Sequence, residues 1–198
     1  GLGGGTRPVV KSVHAPLAAE WVVGPADVDV VVVLRHPANV LASWLSLDLP
    51  DGDRHLDDDG AVRRLYTERW GVAPPGPDRL ERAVWHVGLF TAALEEAASH
   101  HPEWTVCVHE DLCVDPPSRF AALFDAVGLR WTPSSEAALA AGDRPGDGFS
   151  LQRRAADAAG AWRGRLGRPE LDALRRVLAA FPLRNWAADD LPGDMCAG

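Results

Sequence analysis

Residues 28–43 read VDVVVVLRHPANVLAS, and the order of residue types in this stretch decides the fold. Residues 28–34 are β-branched and apolar on both faces, a run far shorter than the roughly 18–20 residues of a membrane span. Such a strand belongs at the centre of a parallel sheet with helices on both sides. Residues 37–47 follow with proline at a first helical position and Val40, Leu41, Trp44 and Leu47 at helical spacing, which predicts a helix.

The rest of the chain agrees with a strand–helix order. Upstream, residues 9–13 predict a short buried strand and residues 17–23 a helical turn or two, after a glycine-rich linker at residues 1–6. Downstream, residues 48–62 are polar and acidic and read as a surface loop, residues 61–70 as a short helix and residues 72–78 as a second loop. Asp78 is placed to cap a long helix running to about Ser99, with Leu80, Ala83, Val84, Val87, Phe90 and Leu94 on its inner face. Residues 105–108 predict another short buried strand, and residues 117–127 a helix closed by Gly128. Residues 142–149 form a Gly/Pro/Asp loop, and residues 169–181 a last helix carrying Arg175 and Arg176. The predicted fold is a single α/β domain over residues 1–198, a parallel sheet flanked by helices.

Charge and composition narrow the function. The 198 residues carry a net charge of −8, the opposite sign to a protein that embraces a polynucleotide backbone. A local cluster of arginines can still oppose that field and hold a small anion. Cys107, Cys113 and Cys196 are an odd count without metal-ligand spacing, which fits free thiols in a reducing cytoplasm and no metal. No apolar run is long enough for a membrane span and no secretory signal pattern opens the chain.

The chemistry concentrates at Arg35. In parallel sheets the ligand crevice lies beyond the carboxyl ends of the strands, where helix N-termini offer free N–H groups and a partial positive charge. Arg35 ends the predicted strand there and can take a phosphate with both arms of its guanidinium. Ser43 follows eight residues on, under two turns into the helix, so its hydroxyl can flank the same anion. The same spacing also fits an arginine capping a neighbouring carbonyl and a serine on a helix face.

A strand running into R-x-P, with serine eight positions after the arginine, resembles the 3′-phosphate-binding segment of sulfotransferases that use 3′-phosphoadenosine-5′-phosphosulfate. Residues 104–129, WTVCVHEDLCVDPPSRFAALFDAVGL, resemble that family's strand, "(Y)EDL", proline turn and helix before Gly-Leu. Residues 161–183, AWRGRLGRPELDALRRVLAAFPL, resemble its "W-(R/K)-x-x-L" and last helix. The three stretches stand in the family's order and cover roughly residues 7–186. The resemblance implies an α/β parallel sheet related to P-loop kinases, with the phosphosulfate nucleotide as co-substrate and no metal.

Carried over by position, Arg35 and Ser43 bind the 3′-phosphate. His109 stands where the family has tyrosine near the adenine, and Arg153 and Arg154 lie where it places a basic loop over the 3′-phosphate, without the usual Arg-Lys-Gly wording. Glu110 and Asp111 read as a strand-end pair that holds loop N–H groups, and Trp162 as core. In KSVHAP, residues 11–16, Lys11 and His14 match the family's lysine and catalytic histidine, with His14 as the base for the acceptor. The spacing here is three residues where the cytosolic branch has two, and one residue changes the face on which a strand side chain stands.

The implied activity is transfer of a sulfuryl group to a hydroxyl or amine of a small molecule or carbohydrate. Residues between Leu45 and Trp70 and part of the long helix are expected to line the acceptor pocket, with Trp44, Tyr66, Trp70, Trp85 and His86 as candidates. The family's phosphosulfate loop follows a strand and opens a helix, whereas GLGGGTR at residues 1–7 precedes a strand and reads as linker. The chain is therefore expected to be an N-terminally incomplete member, with little transfer by itself. The rival reading is a sulfotransferase-like module that works through binding alone. A P-loop kinase is excluded, because no G-x-x-x-x-G-K-[S/T] occurs.

Overall fold

The computed structural model describes residues 8–13, 15–24, 27–47, 56, 59–146 and 154–186. His14, Arg153 and Cys196 lie outside the described residues, as does most of the predicted loop at 48–62. The chain is α/β: a two-stranded parallel sheet set among helices.

A 3₁₀ turn, Pro16–Ala18, leads into α1, Ala19–Val23, which stops at Gly24 with φ +50°. Strand β1, Val31–Leu34, then runs into α2, Pro37–Ser46. The next helix, α3, covers residues 60–70 and contains a π turn at Arg63–Thr67 between Gly60–Val62 and Glu68–Trp70. The Asp59 carboxylate caps it by accepting from the N–H groups of Ala61 and Val62. Helix α4, Arg79–His100, starts where Asp78 accepts from the N–H of Glu81 at 2.8 Å.

Strand β2, Thr105–Val108, passes directly into α5, His109–Val114, and α6, Pro116–Ala126. Gly128, at φ +63°, takes the left-handed turn that ends α6. Helix α7, Pro133–Gly142, is followed after the loop by α8, Ala155–Ala158, a 3₁₀ turn at Ala161–Gly164, and α9, Arg168–Leu178.

The core is organised round α4, which is buried on most of its circumference, a pattern that belongs to a central helix. Its first half packs with Ala38, Leu41 and Ala42 of α2, Ala173 and Leu174 of α9, and Trp162. Its last turns meet Val32 and Leu34 of β1 through Ala97. Gly88 admits Phe181 against its backbone: a Cβ there would fall 2.6 Å from Phe181 Cδ2, so the position has no room for a side chain. The buried Glu95 accepts from the backbone N–H groups of Arg184 and Asn185 and from Asn185 Nδ2, which ties the segment after α9 to the central helix.

Three expectations are corrected. Residues 9–13 form no strand: Val9 and Val10 are 87% and 90% exposed. Lys11 and Ser12 interrupt the valines between two prolines, and among the described residues no strand pairs with this stretch, so its backbone gains no ladder. The strand expected over 28–34 is shorter and is covered on one face. Val32 and Leu34 are 6% and 3% exposed, packed in one cluster with Ala97 and Trp104, whereas Val31 and Val33 on the other face are 40% and 51% exposed. Glu110 and Asp111, read as a strand-end pair, stand in the first turn of α5, which opens directly after β2, and Glu110 holds the N–H of His36 from there.

Candidate anion-binding site

β1 and β2 pair in parallel from Val31 with Thr105 to Leu34 with Val108, so their carboxyl ends are level. The chain leaving β1 supplies Arg35 and His36, and the chain leaving β2 supplies His109 and Glu110. Glu110 joins the two: its Oε2 accepts from the backbone N–H of His36 at 3.0 Å and its Oε1 from Asn39 Nδ2 at 2.7 Å. Asn39, 2% exposed, also donates to the carbonyl of Ala159 at 2.8 Å and accepts from the N–H of Trp162 at 3.2 Å. One buried amide thus fastens the start of α2 to α5 and to the segment before α9.

Burial works against the Glu110 carboxylate, but hydrogen bonding from His109, Asn39 and the His36 N–H outweighs it and lowers its pKa to about 2. His109 Nδ1 stands 3.6 Å from Oε1, long for a hydrogen bond, so Asn39 and the His36 N–H are the firmer holds. A folded-state pKa below the ordinary 4.5 means stabilisation that is complete above that value and lost as pH falls towards 2. Glu110→Gln is therefore expected to flatten the acid limb of stability against pH. Urea midpoints measured across that range check it, and parallel profiles for the two proteins would contradict it.

Arg35 is half-buried beside this network. Its charge reaches the Cys113 thiol, whose pKa burial and Glu110 push up and Arg35 draws down. Cys113 Sγ lies 3.9 Å from His109 Nε2, so Arg35, His109 and Cys113 share one neighbourhood at the strand ends. Helix α8 packs on α5 there, and Arg154, exposed, occupies its N-cap position. The N–H of the next residue, Ala155, donates to Asp143 Oδ1 at 2.7 Å, so both ends of the loop bearing Arg154 are drawn together.

The first turn of α2 differs from expectation. Its N–H groups are not open to a ligand: His36 Nδ1 accepts from Ala38, and the His36 carbonyl accepts from Asn39 and Val40. Pro37 has no N–H to offer. Anion binding at this edge has to rest on the Arg35 guanidinium and on the helix dipole, not on direct donation by α2. The accepting role fixes His36 Nδ1 as unprotonated, with the ring stacked on Trp162 at 5.4 Å.

Ser43 is half-buried, one turn beyond Asn39 on the same face of α2 and ~9 Å along the axis from Pro37. Lys11 is exposed, and among the described residues no hydrogen bond or ion pair ties it to the strand ends. Of the aromatic candidates for an acceptor pocket, Trp85 and His86 are 4% and 0% exposed and belong to the core, as does Trp162 at 2%. Trp44 packs edge-on to Phe90, and Tyr66 tilts against Trp70. The residue that sequence reasoning passed over is Asn39, whose signal was an amide at a helical position surrounded by Ala38, Val40 and Leu41.

Among the described residues, no helix is long and apolar enough to cross a membrane, and no group of three or more His, Cys, Asp or Glu side chains is placed to hold a metal ion. Comparison with protein-family models, curated proteins and solved structures finds no match to this chain.

Proposed function

We propose that the carboxyl edge of β1 and β2 binds the 3′-phosphate of 3′-phosphoadenosine-5′-phosphosulfate, and that the chain serves transfer of its sulfuryl group to a hydroxyl or amine of a small molecule or carbohydrate. The observation that supports this reading is that the chain leaving β1 at Arg35 and the chain leaving β2 at His109 come off level strand ends, beside the start of α2. The placement follows the general rule for parallel sheets, and the three stretches of family resemblance give it a ligand. On this reading the sheet and its helices are a reduced form of the P-loop kinase-like architecture.

The residues fit a phosphate next to a base. Arg35 brings a permanent cation with a forked donor face, and Arg154 adds a second cation at the adjoining helix start. Glu110, the nearby carboxylate, is already engaged by the His36 N–H, Asn39 and His109, which reduces its repulsion of an anion. His109 keeps an imidazole 30% exposed, able to stack on a purine or donate to it. The donor supplies the sulfuryl group; the chain holds the nucleotide that leaves and takes the acceptor's proton, the latter assigned to His14 from its sequence position.

Arg35→Ala tests the assignment. The guanidinium provides charge-assisted, bidentate contacts, so its loss is expected to weaken binding of adenosine 3′,5′-bisphosphate by about 30- to 150-fold. The bisphosphate at 100 times its dissociation constant is expected to stabilise the wild-type protein by about 2.7 kcal/mol, and a melting shift unchanged in Arg35→Ala would remove Arg35 from the site.

A further inference from the structure

We propose a second binding site, a groove between residues 16–21, the π turn of α3 and the last turns of α4, that takes a small organic amine with an aromatic or aliphatic body. The groove encloses about 450 Å³, within the range of small-ligand pockets, and Leu17, Trp21, Tyr66, Ala93 and Ala97 give it an apolar lining. It lies ~15 Å further along α4 than the packing of Val87 against α2, towards the amino-terminal ends of the strands. Arg35, His109 and Arg154 are not among the residues that line it, so it is independent of the nucleotide-binding reading.

Two features set the chemistry of its occupant. The first is Trp21, whose indole stands 85% exposed on a five-residue helix at the rim. An aromatic ring of this size left in water offers a face for a cation or a flat apolar body.

The second is the charge balance. Arg69 is committed to Glu96 at 2.5 Å and, through Nε, to the carbonyl of Leu65. Arg64 acts on Asp59 at the start of α3. Among the described residues, Glu20 meets the rings of His100 at 3.4 Å and His101 at 3.1 Å, both through Oε1, and is itself 47% exposed. His101, just outside the lining, is shared with Glu103 at 2.8 Å, so it is not given over to Glu20 alone. Tyr66, whose hydroxyl donates to the Leu17 carbonyl at 2.7 Å, reports the sign of the field. Burial raises its pKa, Glu20 and Glu96 raise it further, and Arg69 opposes them with the smallest effect. The groove thus favours a positive charge next to Glu20, with the ligand's body laid between Trp21 and Tyr66.

Calorimetric titration with 2-phenylethylamine and 3-phenylpropionate, which share a phenyl body and differ in charge, tests the proposal. The amine is expected to bind with a dissociation constant on the order of 1 mM, as suits so small a ligand, and at least about 10-fold more tightly than the acid. Glu20→Gln is expected to weaken the amine about 3- to 5-fold, and Trp21→Ala about 3-fold, both being surface changes that the fold tolerates. Arg35→Ala is expected to leave amine binding unchanged. Equal or tighter binding of the acid, amine affinity indifferent to both substitutions, or no saturable binding of the amine up to about 10 mM would each overturn it.

Discussion

In a protein that also carries the phosphosulfate-binding loop, replacing His14 by alanine is expected to lower sulfuryl-transfer turnover about 100- to 10,000-fold while leaving affinity for adenosine 3′,5′-bisphosphate nearly unchanged. The split between the two readouts is what identifies a base: on the proposed function His14 would act on the acceptor's proton, whereas the nucleotide would be held at Arg35. An imidazole must be neutral to accept a proton, and its ordinary pKa is about 6.5. Turnover in the wild type is therefore expected to rise with pH through that region and level off above it. Release of the bisphosphate from the phosphosulfate donor, followed across pH with a panel of hydroxyl and amine acceptors, reads both effects. A His14→Ala protein with near-normal turnover would place the base elsewhere, and the three-residue spacing from Lys11 would then be the physical reason.

Asn39→Ala is expected to cost about 3–5 kcal/mol of folding stability, the largest effect of any single truncation at the strand ends. Alanine removes no more than a small volume, so the loss comes from the groups left behind. Glu110 Oε1 loses a bond of 2.7 Å, the Ala159 carbonyl one of 2.8 Å, and the Trp162 N–H its acceptor. Each of these is at least half-buried, and water cannot fully replace the amide. Asn39→Asp is expected to be no better, since a carboxylate cannot donate to Glu110 and adds like charge beside it. Denaturant unfolding measures both variants, and a loss below about 1 kcal/mol in Asn39→Ala would show that the network does not hold the three segments together.

What was legible in the sequence was what local chemistry decides. The β-branched run before Arg35, Pro37 at the head of α2, the Asp78 cap of α4 and Gly128 after α6 are each readable from a few neighbouring residues, and each marks an element that forms there, the strand over Val31–Leu34 only. Elements that depend on a partner were not. The valines at 9, 10 and 13 carry strand propensity, yet with no strand beside them among the described residues they stay exposed. His109 lies where a strand becomes a helix without a break, and nothing local marks that change. Thr132 and Pro133 do carry a start signal for α7, with Thr132 Oγ1 accepting from the Ser135 N–H, but the alanine-rich stretch has no apolar stripe to announce a helix.

The site divides in the same way. The place of Arg35 at a strand end was legible because it follows the β-branched run directly, and that of His109 because it follows the second strand directly. The Asn39 network was not, because Asn39 finds Glu110 and Trp162 at separations of 71 and 123 residues. Nor was the closure of the first turn of α2 by His36, which takes up the N–H groups of Ala38, Asn39 and Val40.

The central claim is that the strand ends recognise a 3′-phosphate, and the most direct measurement is titration with two nucleotides that differ in that group alone. Adenosine 3′,5′-bisphosphate is expected to bind at least about 30-fold more tightly than adenosine 5′-monophosphate, the worth of charge-assisted contacts to one phosphate. That preference is expected to vanish in Arg35→Ala. Equal affinity for the two nucleotides, or a preference for the bisphosphate that survives the loss of Arg35, would contradict the account.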